Sequence, residues 1–422
     1  MNNHLFVHAA AGSGKTERIV RACANRDRPK RRLIITLTES GQEELISRLS
    51  AACSADQVPD VIGWYAFLIK HYVRPYLPCL FDEVRPTGFI FDRNLHPKDH
   101  FRLKGEARYF SSNGSIYRES LPELSVKVAE AAQGKVENRL SRIYDEIIID
   151  EVQDISRKSL DILARLLDFT SLRLVMVGDV RQSLLDSDLM SSRNKNADRL
   201  QLLSWYRDHE KSERLTIEEM TTTFRSNQTI ASFSDAIFPP ELGFAPTTSA
   251  NKEITGHDGV FLVLEPHLND YVQRYGAVLL RGSAASGKHL NHLGFTNIGQ
   301  VKGLTYDRVI IYPTQPMLDL ISTGKAMAAK SACSFYVAVT RARLSVAIIV
   351  DSKKLTKRLQ DNPTLPIEWW EPPECESDAS DGAKKDWSGD TAEPFSGRNG
   401  LALRKDVPRA LVQDAHLGWL DA

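Results

Sequence analysis

The sequence predicts an α/β protein built on parallel sheet. Two observations carry this. Short apolar runs alternate with amphipathic helical stretches along most of the chain. The first of these runs opens into a Gly/Ser-rich turn, then Lys-Thr, then a helix. A length of 422 residues allows two to three domains, each with material for its own core.

The first element sets the chemistry. Leu5-Phe6-Val7 reads as a strand, and Glu17-Arg18-Ile19-Val20-Arg21-Ala22 reads as a helix. Between them lies His8-Ala9-Ala10-Ala11-Gly12-Ser13-Gly14-Lys15-Thr16, close to the G-x-x-x-x-G-K-[ST] phosphate loop with Ala9 in place of the first glycine. The small residues Ala10, Ala11, Gly12, Ser13 and Gly14 let backbone N–H groups curl around a polyphosphate at a helix N-terminus. Lys15 is expected to reach the β- and γ-phosphates and the Thr16 hydroxyl to hold Mg²⁺. A plain Gly/Ser turn is the alternative. Strand, loop, Lys-Thr and helix in register favour a nucleoside triphosphate.

Composition limits the partners. Lys plus Arg and Asp plus Glu both number 54, so no bulk charge draws the chain to nucleic acid, and any such groove must be local. The cysteines Cys23, Cys53, Cys79, Cys333 and Cys375 are scattered, without metal spacing or a disulfide framework. They fit a reducing cytoplasm, the expected location. No signal peptide, membrane-spanning run or internal repeat is apparent.

The basic run Arg26 to Arg32 joins a helix end to a strand start and reads as a solvated loop. Leu33 to Thr38 is a buried-type strand, whose Thr36 and Thr38 hydroxyls suit backbone phosphates. An amphipathic helix through Leu45, Ile46 and Leu49 follows. Asp60 to Tyr65 then leads into an aromatic helix, Ala66 to Tyr72. Its aromatics, with Trp64 beside them, are core or base-stacking residues. From Pro75 to Gln133 the periodicity weakens, with β-like pieces near Phe89-Ile90-Phe91 and Tyr109-Phe110, as in an inserted subdomain. His96 and His100 there lack a third ligand and read as surface residues.

The pattern sharpens at Glu146-Ile147-Ile148-Ile149-Asp150-Glu151-Val152-Gln153-Asp154, an apolar strand ending in paired acids. Asp150 is expected to hold Mg²⁺ opposite Thr16, and Glu151 to orient or deprotonate the attacking water. An acidic helix cap would look similar in isolation. After a helix at Leu160 to Leu167, the strand Leu172 to Val177 runs into Gly178-Asp179-Val180-Arg181-Gln182-Ser183, which places Gln182 as a polar sensor.

The order of these three motifs resembles the UvrD/Rep family of superfamily 1 DNA helicases. Four later stretches agree: Thr223-Phe224-Arg225-Ser226, Tyr275 to Arg281, Lys302-Gly303-Leu304-Thr305-Tyr306-Asp307, and Tyr336-Val337-Ala338-Val339-Thr340-Arg341-Ala342. The resemblance covers residues 5 to about 350. It implies two RecA-like P-loop NTPase domains with parallel sheets. The first would span residues 1–74 and 134–222, with an inserted subdomain at 75–133. The second would span 223–352, and a flexible C-terminal tail 353–422. Phe224 would stack on the base of ATP, with Gly303 near the nucleotide. Arg225 and Arg341 would approach the γ-phosphate, and Gln182 would link nucleotide state to the strand-binding surface. Thr36, Thr38, Trp64, Arg281 and Lys302 are candidates for contacting DNA.

Departures from the family pattern point the other way. Its base-stacking Phe is Leu37 here, Leu184-Leu185-Asp186 follows Gln182-Ser183 in place of aromatics, and its nucleotide-contacting Glu is Thr305. The large insertion of the family's second domain is missing between Ser226 and Lys302. Stacking contributes about 1–3 kcal/mol per base, so the grip on a strand should be looser. Gly282 to His289 fits a second G-x-x-x-x-G-K but ends in His, and reads as a Gly/Ser loop. The segment 361–400 carries Trp369, Trp370 and Trp387 in acidic, Pro-rich surroundings, to anchor a partner or dock on the chain itself. Leu411 and Trp419 would belong to a last short helix.

The function expected is therefore an ATP-dependent 3′→5′ DNA translocase or helicase acting on single strands or duplex–single-strand junctions. The alternative is a nucleic-acid-sensing ATPase that regulates a protein partner such as a nuclease, as in antiphage systems, without unwinding by itself.

Overall fold

The computed structural model describes residues 4–25, 30–54, 57–91, 102–184, 200–350 and 365–373. Most of the basic run (26–29), His96, His100, Leu185, Asp186, Cys375, Trp387, Leu411 and Trp419 lie outside the described residues. Every element below belongs to the unit Met1–Glu371.

Two six-stranded parallel sheets form the architecture. The first begins with β1 (Leu5–Ala9), β2 (Arg32–Thr36) and β3 (Asp60–Gly63). The chain then makes an excursion with the short parallel pair β4 (Gly88–Ile90) and β5 (Ser115–Tyr117). It returns as β6 (Glu146–Ile149), β7 (Arg173–Gly178) and β8 (Thr216–Met220), giving the order β3-β2-β6-β7-β1-β8. Leu33, Ile34 and Ile35 are fully buried, so both faces of β2 are covered. This is why these strands read as unbroken apolar runs rather than alternating ones.

The strand Leu33–Thr38 ends at Thr36. Thr38 instead caps the helix Glu39–Ala52, its Oγ1 accepting the Gly41 N–H at 3.2 Å. The aromatic helix begins at Trp64, and its middle, Ile69–Val73, winds as a π-helical turn. The stretch after Pro75 shares the first sheet's core. Tyr109, Phe110, Ile116, Leu121, Leu124 and Val128 pack in one cluster with Phe67, Tyr72 and Leu163.

The second sheet follows a small parallel pair, β9 (Thr222–Thr223) and β10 (Thr248–Ser249). It comprises β11 (Gly259–Leu264), β12 (Val278–Arg281), β13 (Thr296–Asn297), β14 (Tyr306–Tyr312), β15 (Ala342–Val350) and β16 (Glu368–Trp370), in the order β13-β12-β14-β15-β11-β16. The sheet thus extends past residue 352, into the segment expected to be a flexible tail. The cause is Trp370. Its ring is buried against Tyr271 and Tyr275, and its Nε1 donates to the Tyr275 hydroxyl at 3.2 Å. Burying so large a ring offsets the ordering of a three-residue strand. Among the described residues no helix is long and apolar enough to cross a membrane.

Candidate nucleotide site between the two sheets

In the first sheet the chain leaves β1 toward β2 and β3 on one side, whereas from β7, the neighbour of β1, it goes on to β8 on the other side, so the connections diverge at β1 and β7. Ligands of open α/β sheets bind at such points, outside the carboxyl ends of the strands. The ends of β1, β6 and β7 deliver Ala10–Thr16, Asp150-Glu151 and Asp179–Gln182 to that edge.

The loop after β1 is fixed from both sheets. Gly12 and Gly14 take left-handed backbone, φ 76° and 82°. The Gly12 carbonyl accepts the Phe224 N–H at 2.9 Å, the Ala11 carbonyl accepts Thr223 Oγ1 at 2.8 Å, and the Ala11 N–H donates to the Tyr336 hydroxyl at 3.3 Å. A Cβ on Gly12 would lie 2.6 Å from Arg225 Cβ, so only glycine permits this approach. The Ser13 hydroxyl is buried with no hydrogen-bond partner among the described residues. An unpaired polar atom there is costly unless a ligand completes it, which fits a bound phosphate.

Lys15 opens the helix Lys15–Ala24, and its Nζ lies 3.2 Å from Glu151 Oε1. Glu151 itself sits in left-handed backbone at φ 52°, a strained position for a non-glycine residue. Its carboxylate also accepts from Gln153 Nε2 and lies 3.7 Å from Lys302 Nζ, which pairs with Asp154. Burial would raise its pKa, but the two ammonium groups hold it below the usual carboxylate range. Burial and the Glu151 charge push Asp150 the other way, above that range. The two acids are thereby held apart in proton affinity, the pattern of groups with separate roles.

Asp179 anchors the third segment. It accepts from Arg181 Nε at 3.0 Å, Gln182 Nε2 at 3.0 Å and the Tyr336 hydroxyl at 2.9 Å, with His8 Nε2 3.6 Å away. Burial opposes its charge, yet Arg181 and His8 hold its pKa far below the carboxylate range. Arg181 crosses to Asp235 at 3.0 Å and lies over the rings of Tyr336 and Phe244. Asp235 in turn accepts from the N–H and hydroxyl of Thr247. Gly178 must be small, because a Cβ there would run into Gln153 Oε1 at 2.2 Å.

Two arginines come from the later half of the chain, Arg341 just before β15 and Arg225 just after β9. Arg341, 1% exposed, donates to Gln182 Oε1 at 3.1 Å, to the Val337 carbonyl at 3.1 Å and to the Leu304 carbonyl at 3.2 Å. Arg225 donates to the Thr340 carbonyl at 3.0 Å. Burial and the Arg225 charge depress Arg341 to about 9, and burial depresses Arg225. Two crowded guanidinium groups of this kind are stabilised by an anion between them. Phe224 projects beside them, 67% exposed, as a ring free to stack.

Other candidates lie elsewhere. Gly303 adopts φ 87° beside Lys302. Thr36 is buried, its hydroxyl donating to the Thr38 carbonyl at 3.3 Å. Trp64 is 4% exposed in the first core and offers no face to a base. Arg281, at the end of β12, donates to the Ser286 carbonyl and Asn291 Oδ1. Among the described residues no cluster of three or more His, Cys, Asp or Glu could hold a metal. A hydroxyl at Thr16 and a carboxylate at Asp150 still match Mg²⁺, which takes one or two protein oxygens plus phosphates and water.

His8, Arg181 and Asp235 join this network outside the sequence expectations, and Tyr336 joins it from a motif that assigns it no role. The signal for Tyr336 is a phenol in the buried run Phe335–Val339, where its hydroxyl must find a partner.

The family described as AAA domain matches residues 1–187, which hold the loop, Asp150, Glu151 and Gln182. The chain is similar to the Arterivirus nonstructural protein 10 helicase, solved alone and with DNA, at 16% identity in both cases. The complex with DNA gives a TM-score of 0.41 and covers 85% of this chain and 63% of that one; the structure without DNA gives 0.42, 85% and 62%. The chain therefore spans less than two thirds of those proteins' length. No curated protein matches it.

Proposed function

We propose that the chain hydrolyses ATP between its two sheets and couples each turnover to movement on single-stranded DNA, as a UvrD/Rep-type 3′→5′ translocase or helicase of the cytoplasm. The observation that carries this is buried Arg341, just before β15 of the second sheet, donating to Gln182 at the carboxyl edge of the first, with half-buried Arg225 beside Gly12 of the loop. Residues 10–14 and Lys15 hold the phosphates, and Phe224 stacks on the base. Glu151, ionised under the field of Lys15 and Lys302, accepts the proton of the attacking water. The two guanidinium groups meet the charge that develops on the γ-phosphate. Thr16 and Asp150 would hold Mg²⁺, which neutralises phosphate charge. Gln182 joins Arg341 to Asp179, so a change at the nucleotide reaches both sheets.

A second reading, a nucleic-acid-sensing ATPase that regulates a partner such as a nuclease, draws on the strand-facing residues. Trp64 is buried, Thr38 is occupied as a helix cap, and Leu37 packs on the first core. One experiment separates the readings: ATP hydrolysis with and without single-stranded DNA, run beside duplex displacement. Stimulated hydrolysis with displacement supports the translocase. Stimulated hydrolysis without displacement supports the regulator. No hydrolysis in either condition overturns both.

A further inference from the structure

On the first sheet's helices, a groove of about 730 Å³ is lined by Tyr76, Gln133, Lys135, Asn138, Arg139 and Arg142. Arg142 lies in the last turn of the helix Lys135–Ile143, which leads into β6, so the groove lies toward the amino edge of the sheet, opposite the nucleotide loop. The helix Lys135–Ile143 buries Val136 and Leu140 in the core. Lys135, Arg139 and Arg142, spaced i, i+4 and i+7, consequently share its outer face.

No carboxylate pairs with these three cations among the described residues. The acids next to them in sequence are engaged elsewhere: Glu137 is buried against Arg165 at 2.7 Å, and Asp145 pairs with Arg31 at 2.6 Å. Arg139 instead meets His71 Nδ1 at 3.3 Å. In a chain with equal numbers of acids and bases this is a local surplus of positive charge.

We propose that this groove takes the phosphate backbone of duplex nucleic acid, at a site separate from the nucleotide loop. The assignment rests on the reading that the chain handles nucleic acid. A protein partner would want an apolar anchor at the centre of the patch. Here the apolar surface is Ile143, half-buried, and the ring of Tyr76, whose hydroxyl donates to the Lys135 carbonyl at 3.0 Å. Guanidinium, ammonium and the amides of Gln133 and Asn138 are instead phosphate-binding groups that carry no sequence information. The ring in the groove, Tyr76, is half-buried with its hydroxyl tied to the Lys135 carbonyl, a poor stacking platform that favours duplex over single strand.

The test is the full chain carrying Lys135→Glu, Arg139→Glu and Arg142→Glu together. Anisotropy of a labelled duplex and a labelled single strand is followed from about 50 to 200 mM salt. Loss of three phosphate contacts should make the duplex log–log salt slope shallower by about 2.7 and weaken duplex binding more than tenfold at the lowest salt. The single strand should be affected less, and ATP hydrolysis without DNA should be unchanged. If the triple variant does not fold, Lys135→Gln with Arg142→Gln, both exposed, should shift the slope by about 1.8. Parental duplex binding and slope in a folded variant overturn the groove alone. A parental chain that binds neither DNA overturns the functional reading and the groove with it. Saturable binding of polyglutamate in place of DNA assigns the groove to an acidic protein and overturns the proposal.

Discussion

Arg341 and Gln182 meet across the two sheets at 3.1 Å, and Gln182 passes the contact to Asp179 at 3.0 Å. The amide therefore accepts from the second sheet and donates into the first. Arg341→Ala should lower kcat by about 10³-fold, the scale of an arginine finger, with a smaller change in nucleotide affinity. Gln182→Ala should leave basal hydrolysis closer to the parent but reduce its stimulation by single-stranded DNA. Steady-state kinetics with and without DNA checks both, and unchanged kcat in both Arg341→Ala and Arg225→Ala would remove the two arginines from the site.

Lys15 and Glu151 touch at 3.2 Å. Lys15→Ala should abolish turnover by losing phosphate contacts. Glu151→Gln should bind nucleotide and stall hydrolysis by at least about 10²-fold, the range of a lost general base. Nucleotide binding by titration, set beside phosphate release, distinguishes the two; parental phosphate release by Glu151→Gln would show that another group activates water.

Gly12→Ala places a Cβ 2.6 Å from Arg225 Cβ and 2.7 Å from Thr223 Oγ1, in left-handed backbone. The strain is about 1–3 kcal/mol. Thermal unfolding should fall accordingly, with nucleotide affinity weakened as the loop parts from Thr223. An unchanged midpoint would mean that the two segments separate freely.

Trp370→Ala removes the ring that ties β16 to the second sheet and should cost about 3–5 kcal/mol. Chemical denaturation measures it. A loss under about 1 kcal/mol, the scale of an ordinary surface substitution, would make the strand a dispensable addition.

Histidines give the pH dependence. His4, His71 and His257 are each held at about 4 by burial, below the ordinary 6.5. They are neutral when folded, whereas the unfolded chain takes up their protons first. Their contribution is therefore full above about pH 6.5 and is lost as pH falls toward 4. His8 runs the opposite way. Asp179 and Glu219 raise it against the pull of burial, so its contribution is present below 6.5 and fades as pH rises through its folded value. Three groups outweigh one, and Tm should drop by several degrees between pH 7 and 5. A flat profile would mean that these rings ionise inside the fold.

Much of this was legible because local chemistry carried it. Ile147 to Ile149 read as a buried strand since both faces are covered, and the loop at Gly12–Thr16 announced itself by spacing. Thr38 was misplaced at a strand end because Thr suits strand and cap alike; only the helix after it decides. Trp370 was hidden by its acidic, proline-rich neighbours. Arg181, Asp235 and Thr247 form one connected path, but residues 54 and 12 apart in sequence leave no periodic trace of that.

The carbonyls of Ala11 and Gly12 are satisfied by Thr223 and Phe224, more than two hundred residues downstream. During synthesis the amino-terminal segment leaves the ribosome first, and the strands β1, β2, β3, β6 and β7 can pair before those partners exist. β8, the edge strand beside β1, arrives just ahead of them. The loop thus acquires its final shape late. A nascent chain halted before residue 216 would hold the phosphate-loop sequence yet lack the wall that shapes it, so tight nucleotide binding becomes a property of the finished polypeptide.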